Sequence, residues 1–174
     1  SISLENLESC INSDLANNYG NLCQRVFSFI KNNCNNKVIK TNNLSSNDQN
    51  LIKQTNDLTK NLRTLMRNQN INAYLKSVIN ISFLTNKYIN DEEPWKLKNA
   101  DTEKMNNILH IALEQIAKIS VLLNPIIPQA SEKVLEALHV DKKLRNFSFL
   151  DGKTILSKEV KIKTFNILFQ KINQ

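Results

Sequence analysis

Apolar residues recur at helical spacing along most of this chain. From Leu4 to about Lys31 they lie three or four positions apart, which predicts a first amphipathic helix with a break near Asn12. Ser46 and Gln49 match the spacing of a capping box, so a second long helix is expected to begin there. The apolar positions of the two helices are Leu7, Ile11, Leu15, Leu22, Val26, Phe29 and Ile30, then Leu51, Ile52, Leu58, Leu62, Leu65 and Met66.

Three further helices are predicted in the middle of the chain. One runs over residues 70–89 and must end before Pro94, because proline disfavours helical geometry at the residue that precedes it. Asp101 is a suitable N-cap for the next helix, which Pro125 ends. A shorter helix over residues 128–138 then begins with proline at its first position.

The scarcity of turn residues favours an all-α fold. Gly20, Gly152 and three prolines are too few for the many tight turns of an all-β protein. We therefore predict an antiparallel bundle of four to five helices over residues 1–140. Residues 141–174 are expected to form an irregular tail that packs back on the bundle within the same domain. The tail carries apolar side chains that need a surface to pack against, namely Phe147, Phe149, Ile155 and the segment from Phe165 to Phe169.

The charge balance favours an anionic partner without identifying one. The 23 lysines and arginines exceed the 16 aspartates and glutamates, which gives a net charge of +7 and suits nucleic acid. The basic residues are spread along the chain, however, and a solvated surface explains them equally well. No segment approaches the roughly 20 apolar residues of a membrane span, and the first residues do not resemble a signal peptide. We expect no membrane partner.

The residues that carry most catalytic and metal chemistry are sparse. Cys10, Cys23 and Cys34 form no CxxC pair, so a zinc site or a disulfide framework is not indicated, and a reducing, cytoplasmic compartment fits best. His110 and His139 are expected in helical stretches, and neither has a second histidine at metal-ligand spacing. No glycine-rich loop is present to bind phosphate. By itself, this chain is predicted to hold no catalytic residues, no metal and no cofactor.

One polar stripe on the first helix has a pattern suited to binding. Asn17, Asn21 and Arg25 follow one another at four-residue steps, which places them on one helical face. Arginine and asparagine hydrogen-bond nucleobase edges, and the single tryptophan, Trp95, offers a stacking surface. Taken alone, a single tryptophan fits a core position at least as well.

Four segments together resemble a known family. They are DLANNYGNLCQRVFSFI, NKYINDEEPWKLKNAD, LHIALEQIAKISVLLNPIIPQASEKVLEAL and the closing NILFQKI. In this order and rough spacing they are similar to the anticodon-binding domain of bacterial methionyl-tRNA synthetase, a class I aminoacyl-tRNA synthetase. The first two segments are specific to that synthetase. The third is shared more loosely with the synthetases for valine, isoleucine, leucine and cysteine.

The resemblance implies roles for individual residues. Asn21 and Arg25 would recognise anticodon bases, and Trp95 would stack on the anticodon. Asn17 and Pro94 match family positions next to these residues and carry a weaker expectation of contact. The expected partners are a tRNA with the methionine anticodon and the catalytic domain of the same polypeptide. ATP and methionine would bind that catalytic domain, since nothing in this chain resembles its signature motifs.

Three positions depart from the family pattern, and two alternative functions stay open. Tyr19 replaces a usual aliphatic residue, Asn90 a usual acid, and Gln170 a common proline. The chain could belong to the synthetase for another amino acid, in which case binding would not follow the methionine anticodon. It could also be a helical protein-interaction module that binds a partner helix in an apolar groove.

Overall fold

The computed structural model describes residue 13, residues 15–148 and residues 152–163. These residues form an α-helical bundle, which confirms the predicted all-α class. A π-helical turn over Leu15–Gly20 leads into the first helix, and two three-residue strands are the sole β-structure among the described residues. The helices are α1 (Asn21–Cys34), α2 (Ser46–Lys60), α3 (Leu62–Arg67), α4 (Ile71–Glu92), α5 (Thr102–Leu123) and α6 (Pro128–Ala137), and the strands are β1 (Lys37–Ile39) and β2 (Glu159–Lys161).

Most predicted helix ends are confirmed, because proline and capping residues determine them locally. Asp101 accepts a hydrogen bond from the Lys104 backbone N–H at 3.1 Å and so caps α5. α4 ends two residues before Pro94, and α5 ends two residues before Pro125. α6 begins at Pro128, which has no N–H that the first helical turn would leave unpaired.

The start of α2 was predicted one residue too late. The capping box is formed by Ser45, whose Oγ accepts the Asp48 N–H at 3.1 Å, and by Asp48, whose Oδ2 accepts the Ser45 N–H at 2.9 Å. Ser46 and Gln49 are not the capping pair. The second helix was also predicted as one long helix, but it is interrupted at Asn61 and forms two, α2 and α3.

His139 was wrongly assigned to a helix. It follows α6 with a φ of 56°, which is left-handed geometry at the end of a helix. His110 lies inside α5 as predicted.

α5 is the central helix of the bundle and is buried on nearly every side from Ile108 to Leu123. It runs antiparallel to α4, because Gln115 lies beside Thr85 while the Leu122 carbonyl accepts the Tyr74 hydroxyl at 2.7 Å. Gln115 also donates to Thr55 of α2 at 2.7 Å. This buried amide therefore joins three helices through hydrogen bonds, as a polar group in a core requires.

The C-terminal segment over residues 155–162 packs against α5. Ile155, Val160 and Ile162 are buried, and β2 pairs with β1 in antiparallel register, with Val160 opposite Val38. An irregular tail was predicted for this segment, and the strand pair was not, since three-residue strands carry almost no alternating pattern. Phe147 packs against the core, whereas Phe149, residues 165–169 and Gln170 lie outside the described residues.

Two polar side chains one helical turn apart on α5 hold this segment in place. His110 Nε2 lies 2.8 Å from the Ser157 carbonyl oxygen, and Glu114 accepts the N–H groups of Ile155 and Leu156 at 2.5 and 2.9 Å. Burial lowers the pKa of His110, and it lowers the pKa of Lys118 one turn beyond Glu114. The bonds of His110 and Glu114 to residues 155–157 therefore serve the fold.

Candidate nucleic-acid interface

Arg25 and Trp95 meet on one surface of the bundle. The Arg25 guanidinium carbon lies 5.6 Å from the centroid of the Trp95 ring, within the range of a cation–π contact. The same guanidinium donates from Nη2 to the Asn90 side-chain oxygen at 2.7 Å. These two contacts join α1, the last turn of α4 and the turn that follows α4. We call Asn21, Arg25, Asn90 and Trp95 the surface cluster.

α1 exposes this stripe because its opposite face is buried. Leu22, Val26 and Ile30 are almost wholly buried, and the π-helical turn before them is anchored by Tyr19. The Tyr19 hydroxyl hydrogen-bonds Ser120 of α5, and burial raises its pKa well above the ordinary value for tyrosine. The departure from the family at this position is therefore a buried anchor rather than a surface change.

The turn after α4 sets the position of Trp95. Glu93 adopts a left-handed conformation with φ 50°, and Pro94 begins a 3₁₀ turn over Pro94–Lys96. Pro94 is itself buried, which fixes the backbone ahead of the ring. Trp95 is 44% exposed, so it is not a core residue and its ring is available to a partner.

Asn21 lies one turn before Arg25 and is exposed. Its Nδ2 donates to the Asn17 carbonyl at 2.8 Å, and within the described part of the chain its Oδ1 has no hydrogen-bond partner. This leaves an amide acceptor beside the Arg25 donors. Asn17 continues the stripe and is exposed, with a long 3.5 Å contact from its Nδ2 to Ser13. The structure thus places all three stripe residues on the outer face, but brings Arg25 alone into contact with Trp95.

Asn90 is the member of the surface cluster that the sequence pattern did not predict to be part of the site. It lies five residues before Trp95, at the end of an otherwise amphipathic helix, and its partner is on another helix. No rule of sequence spacing links Asn90 to Arg25, which lies 65 residues earlier. An exposed asparagine near a helix end is also a common surface residue in so asparagine-rich a chain.

A second polar group lies behind the surface cluster, inside the bundle. Asp48 is 3% exposed and accepts the Tyr88 hydroxyl at 2.6 Å and the Asn107 amide at 2.9 Å, in addition to its capping bond. Burial, reinforced by Asp48, raises the pKa of Tyr88 far above its ordinary value. We call Asp48, Tyr88 and Asn107 the buried cluster. It fixes the end of α4, from which Asn90 projects.

The described residues offer no grouping of three or more histidine, cysteine or acidic side chains that could hold a metal ion. Burial raises the pKa of the Cys23 thiol strongly and that of the Cys34 thiol as well, so both favour the unreactive protonated form. No helix in the described part of the chain is long and apolar enough to cross a membrane.

The fold and the surface cluster define an all-α bundle domain that presents an arginine, amides and a tryptophan on one face. Residues 38–174 match the family of anticodon binding domains of methionyl tRNA ligase. The chain belongs to this family, which confirms the resemblance described above.

Individual relatives agree with the family match. The chain is 36% identical over 148 residues to the methionine–tRNA ligase of Rickettsia felis and 34% identical over 171 residues to that of Rickettsia prowazekii. These alignments cover 83% and 97% of this chain, but only 29% and 34% of the relatives. The chain therefore spans about a third of the length of the curated relatives it matches. The apo methionyl-tRNA synthetase of Mycobacterium tuberculosis shares the fold, with a TM-score of 0.85 at 24% identity over 98% of this chain and 35% of that one.

Proposed function

We propose that this chain binds tRNA and selects the methionine anticodon, as the anticodon-binding part of a methionine–tRNA ligase. The parent protein would attach methionine to its tRNA with ATP in a catalytic domain outside this chain. Binding is the contribution of the chain itself, and tRNA together with that catalytic domain are its partners. A cytoplasmic location stays a prediction.

The contact between Arg25 and Trp95 is the observation that carries the proposal. An exposed indole ring can hold an unstacked base by its face, and the guanidinium next to the ring can bond that base or the adjoining phosphate. Asn21, one turn away, supplies an amide acceptor for a base edge. Asn17 lies at the end of the stripe and buried Pro94 directly precedes Trp95, so both would support the site without a proposed role in selection.

The net charge of +7 supports the same reading through the phosphate backbone. Lysines around the bundle would attract tRNA without reading its sequence, and that attraction should weaken as salt rises. Selection would come from the surface cluster. Affinity and selectivity should therefore respond to different residues.

The test is a binding titration of the 174-residue chain with methionine tRNA and with variants changed at each anticodon base. Trp95→Ala should weaken binding of the unaltered tRNA by about 1 to 3 kcal/mol, since one stacked base contributes that amount. It should also reduce the difference between the anticodon variants. Because Trp95 is exposed, the variant is expected to stay folded.

Ile71→Ala is the matched control. Ile71 is 52% exposed and lies at the first residue of α4, about 28 Å along the helix from Asn90. It should bind as the wild type does. If the wild-type chain bound every anticodon variant equally well, the proposed selection would be wrong, and general RNA binding or a protein-interaction role would remain.

A further inference from the structure

Phe83 is the most exposed of the large apolar side chains that the structure describes, at 54%. It lies in α4, seven residues before Asn90, and two helical turns place both residues on the same face. The distance along the helix is about 10 Å. Phe83 therefore lies on the side of α4 that contacts Arg25, two helical turns N-terminal to Asn90 of the surface cluster.

α1 follows this face of α4 in the same direction. Arg25 lies level with Asn90, at the end of α4. Tyr19, six residues earlier, lies beside Ser120, and α5 runs antiparallel to α4, so Ser120 is level with the middle of α4. Asn21 lies between these two levels. This places Asn21 across from the stretch of α4 between Phe83 and Asn90.

The surface between the two aromatic rings is polar. Asn86 is half-buried and lies one turn before Asn90 on the same face, opposite the stripe of α1. Around the Phe83 ring, one or two turns away on α4, lie exposed basic and amide residues, namely Lys76, Asn80 and Lys87. Lys87 pairs with Asp91 at 2.7 Å on the exposed surface. Ile79, one turn before Phe83, is buried, so it does not extend the exposed Phe83 ring into an apolar groove for a partner helix.

We propose that Phe83 is a second base-stacking platform, which holds a nucleobase of the single-stranded loop next to the base held at Trp95. This inference rests on the proposed function and extends the same site by one subsite. An exposed ring among amides and lysines suits a base whose face is apolar and whose edges and phosphate are polar. The rise of about 10 Å from Phe83 to Asn90 is short enough for neighbouring nucleotides of one extended strand to reach both ends of it.

The experiment uses an anticodon stem-loop in which 2-aminopurine replaces one loop nucleotide at a time. Its fluorescence falls when the base stacks on an aromatic ring. Phe83→Leu removes the aromatic face and keeps an apolar side chain, whereas Phe83→Tyr keeps the ring. We expect Phe83→Leu to weaken binding of the 174-residue chain about five- to tenfold, the lower end of the range for one stacked base. Phe83→Tyr and the control Ile71→Ala should stay within twofold of wild type.

One loop position should lose its 2-aminopurine quenching in Phe83→Leu and keep it in Phe83→Tyr and in Trp95→Ala. Equal binding and equal quenching in Phe83→Leu and wild type would overturn the platform, as would equal losses in the leucine and tyrosine variants. The anticodon dependence of the wild type is a separate reading. If the wild-type chain bound all anticodon variants equally while Phe83→Leu still lost quenching at one loop position, the proposed anticodon selection would be wrong and the stacking at Phe83 would stand. If the chain bound no stem-loop at all, both proposals would be overturned.

Discussion

The last turns of α4 carry two polar clusters that face opposite ways. Tyr88 points into the bundle, where Asp48 accepts its hydroxyl at 2.6 Å, while Asn90 points outward and accepts Arg25 at 2.7 Å. The bonds are equally short, but Asp48 is 3% exposed and Trp95, beside Arg25, is 44% exposed. The two clusters therefore have similar bond lengths but differ in solvent exposure, and the exposure determines what each bond can do.

The difference follows from the cost of leaving a polar group unpaired. A buried donor without a partner costs about 1 to 3 kcal/mol, so each bond in the buried cluster matters for folding. An exposed pair exchanges its partner for water at little cost. The surface cluster can therefore release its internal bonds to a ligand, which the buried cluster cannot do.

Asp48→Ala should give the largest effect on stability. It removes the acceptor of two buried donors, Tyr88 and Asn107, and the Ser45 N–H bond of the α2 capping box, so we expect the free energy of unfolding to fall by about 3 to 4 kcal/mol. Chemical denaturation measures the change. Asp57→Ala, at an exposed carboxylate of the same helix that pairs with Lys60, should change stability by less than about 0.5 kcal/mol.

Equal effects of the two aspartate substitutions would remove the distinction between buried and exposed polar bonds in this fold. An intermediate loss is expected for Asp48→Asn, because its amide oxygen replaces one of the two accepting carboxylate oxygens while its NH₂ group faces the donors of the other.

Glu114→Ala should give the next largest loss. Glu114 accepts two backbone N–H groups of the C-terminal segment, and without it those groups lose a charged acceptor. We expect a loss of about 2 to 3 kcal/mol in the free energy of unfolding. A protease should also cleave the variant within residues 152–163 sooner than it cleaves the wild type. Glu132→Ala, at an exposed position on α6, is the control and should leave both measurements unchanged. A segment as resistant to protease as in wild type would show that β1 and the apolar contacts hold it without Glu114.

The helices could be predicted from the sequence because their signals are local. Asp101, Pro125 and Pro128 act on the residues next to them, and the apolar spacing repeats over many turns. The failures arose where neighbouring residues of similar chemistry compete. Ser45 and Ser46 both suit an N-cap, and Asp48 decided the choice because it is bound from inside the bundle.

Part of the candidate site was also predictable, because residues four apart on one helix share a face whatever the rest of the fold is. The four-residue stripe places Asn21 and Arg25 on one face without any knowledge of the fold. The positions of Asn90 and Phe83 relative to that stripe depend on how α1 packs along α4, which is a tertiary contact. Trp95 stood out as the single tryptophan, and the family resemblance favoured a stacking role over a core position, whereas its contact with Arg25 required the structure.

His110 gives a smaller, pH-dependent effect. Burial lowers the pKa of this histidine below its ordinary value of 6.5, so the unfolded chain takes up a proton that the folded protein resists. Stability should therefore be complete above pH 6.5 and fall as the pH decreases from there toward the folded-state pKa. His110→Gln can still donate to the Ser157 carbonyl but cannot titrate. Denaturation midpoints measured from pH 7.5 to pH 5 should fall less in this variant, and parallel curves would contradict the prediction.

Asn90→Asp should have the smallest effect on stability and a clear effect on binding. The new carboxylate would pair with Arg25 on an exposed surface, so the free energy of unfolding should change by less than about 0.5 kcal/mol. The same pairing would neutralise a guanidinium proposed to face RNA, and we expect binding of methionine tRNA to weaken about three- to tenfold with a shallower salt dependence. Asn68→Asp makes an identical charge change at an exposed position just before α4, at the end of that helix far from Asn90. If both variants weakened binding equally, net charge rather than the surface cluster would account for the loss. A loss confined to Asn90→Asp would show that the outward face of α4, at Asn90, affects binding, while its inward face, at Tyr88, affects stability.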